Sequence, residues 1–200
     1  KSLATRVSEK ALDGTVKIIL CYNIEQGKYI PLISGSGFLV NNNGYIVTND
    51  HVVDTKDIIQ EARRNNFPII PDSFFYAVYF KNKDVYTTNK VICKYPNYDL
   101  AVIKIDPVPN HTPLPLYSYK LNIQMDVLAI GNPTKYEFTV EEGRITSLLP
   151  IPDRKHLLMT NADVFKGNSG GPLINLNGQV VGIISEAEID VIFKFDGRDY

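Results

Sequence analysis

An all-β fold, built as two six-stranded antiparallel β-barrels, is predicted by three features of the 200-residue sequence. Short runs rich in Val, Ile, Tyr, Phe and Thr recur along the chain. Gly, Asn and Pro break them at close intervals, and a proline-rich stretch from Pro107 to Pro115 separates six such runs from six more. β-Branched and aromatic side chains suit a pleated, half-buried surface, and Gly, Asn and Pro supply the turns between strands. A stretch crowded with Pro lacks the backbone donors for a continuous ladder, so it reads as the connector between halves.

The elements follow in order. Ser2 to Lys10 reads as a short helix, with Ser2 as its cap and a Leu3/Val7/Ala11 spacing that lays one apolar stripe along one face. Strands are expected at Thr15 to Asn23, Gly37 to Val40, Tyr45 to Thr48, Phe75 to Phe80, Val85 to Tyr95 and Leu100 to Ile105. A second short helix, Asp54 to Arg64, follows His51, capped by Asp54 or Thr55 and burying Ile58, Ile59 and Ala62. Beyond the connector, strands resume at Met125 to Ile130, Phe138 to Leu148, Leu157 to Asn161, Pro172 to Ile174, Gln179 to Ile184 and Val191 to Phe195. The organisation is an N-terminal segment over 1–12, a first barrel over 13–106, a connector over 107–120 and a second barrel over 121–200.

Composition narrows the function classes. With 44% hydrophobic residues the chain can bury a sizeable core, in one domain or two packed halves of about 100 residues each. The 21 Lys and Arg balance 22 Asp and Glu, and no basic block exists to attract nucleic acid or membrane phosphates. No apolar run approaches the roughly 20 residues of a spanning helix, and Lys1-Ser2-Leu3-Ala4 does not open a signal peptide, so the chain reads as a soluble, processed form or fragment. Cys21 and Cys93 lie in apolar strand-like runs, as two buried thiols or as one bridge. The three histidines are scattered, no two at ligand spacing with a Cys or acid, so neither a metal nor another cofactor is expected.

The chemistry concentrates in Phe165-Lys166-Gly167-Asn168-Ser169-Gly170-Gly171-Pro172-Leu173. A Ser flanked by glycines can occupy a tight turn whose backbone N–H groups converge on one point. Acyl transfer needs such a point, because the attacked carbonyl oxygen becomes an anion and must meet preorganised donors, here the loop N–H groups of Gly167, Asn168 and Ser169. The bland alternative is a Gly-rich turn with an ordinary Ser. A nucleophilic Ser also needs a base. His51, in Ile46-Val47-Thr48-Asn49-Asp50-His51-Val52-Val53, stands where a strand ends and can project from rigid support. His111 in the connector and His156 after Asp153-Arg154-Lys155 read as solvated. Asp99 leads straight into the apolar strand Leu100 to Ile105, a half-buried position that is costly for a carboxylate unless something pairs with it. Asp50, Asp54 and Asp57 sit too near His51 along the chain to receive its ring. The chain order His51, Asp99, Ser169 places a triad at the junction of the two barrels.

Five stretches in order carry a resemblance to a known family: Gly35 to Val40, Gly44 to Val53, Asp99 to Ile105, Ala129-Ile130-Gly131-Asn132-Pro133, and Gly167 to Leu173 continuing through Gly178 to Ile183. The sequence resembles the HtrA (DegP-like) trypsin-fold serine proteases over about residues 35 to 184. By that resemblance the fold is the chymotrypsin-like double barrel, and the activity is cleavage of unfolded or misfolded polypeptides. His51 is then the general base, Asp99 its orienting partner, Ser169 the nucleophile and Gly167 an oxyanion-hole donor. The resemblance also implies a soluble protein of the cell envelope or an organelle, and a trimer built through N-terminal segments, with Lys1 to Leu12 as the candidate contact. Alternatively those residues form a helix capping their own barrel.

Departures from the family pattern add expectations. Relatives carry PDZ domains after the protease domain, and none is expected within these 200 residues. The stretch from His51 to Asp99 is longer than in plain relatives, with a surplus near Ile58 to Phe74 that restricts the cleft or merely elaborates the surface. Asn168 stands where trypsin-like zymogens keep an aspartate, so activation by a new N-terminal amine is not expected. Asp163 occupies the position at the base of the substrate pocket, where an acid selects Lys or Arg; otherwise it caps a turn or faces outward. Ser185, Glu186 and Ala187 are expected along the edge on which a substrate strand docks. The alternative to an enzyme is a catalytically silent relative that holds extended peptides.

Overall fold

The computed structural model of the chain describes residues 2–25, 27–133, 136–151, 155–185, 194–195 and 198–199. Helix α1 (Leu3–Gly14) runs without a break into β1 (Thr15–Glu25), which pairs antiparallel with β2 (Lys28–Asn41). Strands β3 (Tyr45–Thr48), β4 (Phe74–Phe80), β5 (Val85–Thr88), β6 (Val91–Tyr95) and β7 (Leu100–Lys104) complete a sheet ordered β5-β4-β1-β2-β3-β7-β6. Its two edge strands, β5 and β6, are consecutive in sequence with only Asn89 and Lys90 between them. The sheet therefore curls until its edges meet. The seam is tied where the Lys104 N–H donates to the Lys90 carbonyl at 3.0 Å and the Thr88 hydroxyl donates to the Lys104 carbonyl at 2.5 Å.

Alternation decides what fills the barrel. Val16, Ile18 and Leu20 on β1 are fully buried and meet Leu39, Ile46, Val78, Phe80 and Ile103 from the other strands. The expected strand Val85 to Tyr95 is two strands, because the chain turns at the barrel seam. The expected strand Gly37 to Val40 is the inner end of the much longer β2, whose outer half from Lys28 to Leu32 is exposed. Its proline, Pro31, sits at a register irregularity opposite Cys21, a place where a strand tolerates a missing donor.

The second sheet is ordered β10-β9-β8-β11-β12, from β8 (Asp126–Gly131), β9 (Thr139–Ile151), β10 (Lys155–Thr160), β11 (Pro172–Asn175) and β12 (Val180–Ile183). Its core joins Leu128, Ile130, Ile174 and Val180 on one side, and Val127, Ala129, Ile145 and Leu173 on the other. A two-stranded pair, β13 (Lys194–Phe195) with β14 (Arg198–Asp199), follows. Most of the expected strand Val191 to Phe195 lies outside the described residues. The two main sheets are both antiparallel and curled, as the strand pattern leads one to expect.

Between the barrels, the connector bonds to both. The Leu114 N–H donates to the Leu39 carbonyl, while the Pro115 carbonyl and Tyr117 N–H pair with Val180. α1 is capped by Ser2, whose Oγ accepts from the Thr5 N–H at 3.1 Å, and it runs four residues past the expected Lys10. Its buried stripe is Ala4, Val7, Ala11 and Leu12 rather than Leu3, which is 52% exposed. His111 also departs from expectation. It is buried, with its ring stacked on Phe80 at 3.8 Å between the Asp13 and Asp84 carboxylates, each 3.1 Å from a ring nitrogen. Cys21 and Cys93 are both free thiols.

Candidate active site

His51 is carried by α2 (Asp50–Val53), a four-residue helix at the end of β3, and α3 (Lys56–Arg64) follows it. α3 lays Ile58 and Ile59, both partly buried, against the first core. Asp99 ends a turn, Pro96–Tyr98, and enters β7 in the left-handed region at φ 50° and ψ 47°. Asp and Asn are the non-glycine residues most at ease there, and such backbone outliers gather at functional sites. The strain aims the carboxylate back at α2. Its Oδ2 lies 2.8 Å and its Oδ1 3.0 Å from Nδ1 of His51, and Oδ1 also accepts the His51 backbone N–H at 3.1 Å. A carboxylate only accepts, so the imidazole proton sits on Nδ1, the tautomer in which Nε2 is the accepting nitrogen.

Other groups hold Asp99 in place. The Asn49 side-chain amide donates to the Asp99 carbonyl at 2.8 Å, and the Ser185 hydroxyl donates to Oδ2 at 2.9 Å. Burial pushes the Asp99 carboxyl up, but the hydrogen bonds from the His51 ring, the His51 backbone and Ser185 outweigh it and hold the group below its usual value. Beyond its expected place along the docking edge, Ser185 thus supplies a hydroxyl that completes the carboxylate's partners. Asn49 and this use of Ser185 carry no sequence signal beyond their nearness to the quoted motifs.

Ser169 lies on the loop before β11, in the second barrel, and is 4% exposed. Its carbonyl accepts the Ser36 N–H from β2 at 2.7 Å, so the loop is bonded directly to the first barrel. Gly35 lies between Val52, next to His51, and the Ser169 carbonyl; a Cβ there would press on both. Gly170, at φ +86°, is packed so closely that a Cβ would collide with the Ser36 carbonyl and the Thr48 hydroxyl and come within 3.1 Å of the Asn49 nitrogen. Only glycine fits that approach. The Ser169 loop is thereby set against the residues on either side of His51.

Ser36 anchors the loop a second time. Its Oγ donates to the Gly167 carbonyl at 2.8 Å and accepts the Asn132 N–H at 2.8 Å, and its carbonyl accepts the Thr48 hydroxyl at 2.6 Å. Asn132 in turn donates to the Val16 carbonyl at 3.1 Å and accepts from the Phe138 N–H. Gly167 has φ +103°, a conformation glycine adopts freely. One expectation needs correction: the Asn168 N–H donates to the Phe165 carbonyl at 2.9 Å and so closes the turn rather than facing a bound oxygen. Gly167 and Ser169 are the other two expected oxyanion donors.

Asp163 is exposed, next to the buried Ala162. Its carboxylate is at the surface, where the chain leaves the core after Ala162. Glu186 and Ala187 lie outside the described residues, as does the side chain of His156. No group of three His, Cys, Asp or Glu side chains at metal-holding distance occurs among the described residues.

The family described as trypsin-like peptidase domain matches residues 35–183. A probable periplasmic serine endoprotease DegP-like of Chlamydia trachomatis serovar D is 35% identical over 126 residues, which is 59% of this chain and 24% of that protein. A serine protease of Mycobacterium tuberculosis is 29% identical over 184 residues, covering 80% of this chain and 46% of its own length. The chain thus spans less than half the length of these relatives. The crystal structure of the serine endoprotease from Yersinia pestis superposes with a TM-score of 0.69 at 29% identity, over 92% of this chain and 57% of that one. From its double barrel, its Ser169 loop and the matched span, the chain belongs to the trypsin-like peptidase domain family, with homologues among the DegP-like serine endoproteases.

Proposed function

We propose that the chain is a serine endopeptidase in which His51, Asp99 and Ser169 act as a triad. The observation that carries this reading is the His51–Asp99 pairing at 2.8 Å beside a glycine-flanked Ser. His51 Nε2 takes the proton of the Ser169 hydroxyl as its Oγ attacks the scissile carbonyl, and the carbonyl oxygen becomes an anion. The Gly167 and Ser169 N–H groups receive that charge. Collapse of the tetrahedral adduct breaks the C–N bond, and the imidazolium gives its proton to the leaving amine, so an acyl-enzyme remains. Water, deprotonated by the same imidazole, releases the acid and restores Ser169. Throughout, Asp99 stays ionised, holds the tautomer and stabilises the imidazolium.

The word endoprotease in the relatives' names supports polypeptides as the substrate class, and the word periplasmic supports a place outside the cytoplasm; unfolded or misfolded polypeptides are the substrates proposed first. Assembly into a homo-oligomer through the segment before β1 belongs to the same reading. The test is labelling by a fluorophosphonate probe together with casein cleavage, with Ser169→Ala alongside. Labelling and cleavage lost in the variant are expected. A folded chain that never labels, with or without an added peptide, overturns the reading in favour of a silent peptide-binding relative.

A further inference from the structure

α2 is too short to hold itself. Four residues fall well below the length at which an isolated helix persists, and its cap, Asn49, makes no side-chain capping bond because it is turned toward Asp99. Yet this element must present the His51 ring at a fixed distance from Asp99. Two carboxylates bracket it. Asp50, its first residue, has a side chain only 10% exposed; Asp54, its C-cap, has one 29% exposed. Both reach the same cation: Nζ of Lys94 lies 3.0 Å from Asp50 Oδ1 and 2.8 Å from Asp54 Oδ1. Lys94 is on β6, opposite Ala101 of β7, and β6 continues through the Pro96–Tyr98 turn into Asp99.

One strand-and-turn unit therefore grips α2 at three points: Lys94 holds both of its ends, and Asp99 holds the imidazole. We propose that Lys94 is a positioning residue for the reaction, fixing the helix that carries His51 to the strand that presents Asp99 and balancing the two carboxylates beside the imidazole. This rests on His51 being the catalytic base.

The charged neighbours are few. β4 contributes Tyr76, whose hydroxyl donates to the Val53 carbonyl at 2.8 Å and whose pKa is pushed up to about 12 by burial and by the Asp54 and Asp50 charges. α3 contributes Lys56, whose backbone N–H donates to Asp54 at 3.3 Å and whose charge helps hold that carboxyl low. The turn contributes Asp99. Burial works against the Lys94 cation, but its hydrogen bond to Asp54 and its ion pair with Asp50 prevail and hold its pKa above the ordinary lysine value.

Without Lys94, Asp50 would be a half-desolvated anion with no counter-charge, next in sequence to His51. A nearby negative charge favours imidazolium. Lys94→Met, which keeps the apolar stem, is expected to lower kcat about tenfold with KM within about twofold. It should also move the acid limb of the kcat/KM profile up by about half to one pH unit. Lys94→Arg, able to bridge two carboxylates, should restore both. A clamp that were merely structural would lower activity without moving the limb.

The His51 imidazole titration, followed by NMR in a Ser169→Ala background, reads the same shift without any turnover. A chain that cleaves nothing while this titration still moves would sink the protease reading and leave Lys94's effect standing. If Lys94→Met does not fold, Asp54→Asn carries the comparison with opposite sign, the His51 titration moving down. An unmoved titration and an unchanged profile in the folded variants overturn the proposal.

Discussion

A single carboxylate decides how well the candidate base is poised. Asp99 is held on four sides, by the His51 ring, the His51 N–H, the Ser185 hydroxyl and, through its carbonyl, Asn49. Asp99→Asn keeps this shape but can offer Nδ1 an N–H instead of an acceptor, which favours the wrong tautomer. The expected loss is about four orders of magnitude in kcat, the size known for this change in trypsin, measured on casein or a fluorogenic peptide. The same carboxylate also links activity to stability. Its folded-state pKa lies below the unfolded one, so its stabilising contribution is fully present above the unfolded value, near 3.9, and is lost as pH falls through the folded value. Ser185 was legible as a residue near the cleft but not as a partner of Asp99, because the two are 86 positions apart.

Among the elements, α1 depends on a histidine that its own sequence does not contain. Asp13, in its last turn, accepts from the Thr112 N–H at 2.7 Å and faces Nδ1 of His111, whose Nε2 faces Asp84 in the β4–β5 turn. Burial raises the Asp13 carboxyl, but the bonds from Thr112 and His111 hold it low, and bonds from Asn82 and His111 do the same for Asp84. Both contributions are present above the ordinary carboxylate range and fade as pH falls through the depressed values. His111→Leu keeps an apolar contact with Phe80 but abandons both carboxylates. Urea unfolding should show a lower midpoint, because α1 and the β4–β5 turn lose the ring that joins them. The solvated-linker expectation for His111 failed because a Pro-rich neighbourhood describes backbone, and says nothing about which cavity the ring enters.

At the scale of the whole molecule, Ser36 joins the barrels. Its N–H and its hydroxyl serve the Gly167 carbonyl, the Ser169 carbonyl and the Asn132 N–H, all in the second barrel, from a strand of the first. Ser36→Ala would leave the Gly167 carbonyl without that hydroxyl donor and the Asn132 N–H without that acceptor, both buried. Leaving such groups unpaired costs about 1 to 3 kcal/mol. Thermal denaturation should register it, and the less firmly held Ser169 loop should react more slowly with the fluorophosphonate probe. Equal stability and equal labelling rate would show that the two barrels orient the loop by packing alone.

The all-β class, most strand positions and the candidates His51, Asp99 and Ser169 were readable in the chain itself. Those features are local: alternation with period two marks a half-buried strand wherever it occurs, and a Ser among glycines marks a tight turn before any partner is known. The order of the five quoted stretches also carried the family. What only the tertiary structure decided is which distant groups meet. The splitting of Val85 to Tyr95 at the barrel seam, the burial of His111 between Asp13 and Asp84, the closure of the turn by the Asn168 N–H, the exposure of Asp163 and the grip of Lys94 on Asp50 and Asp54 all belong here. The physical reason is the same for each. A polar group's state is set by the partner that desolvation forces it to find, and that partner comes from elements whose closeness in space arises only when the sheets curl and close.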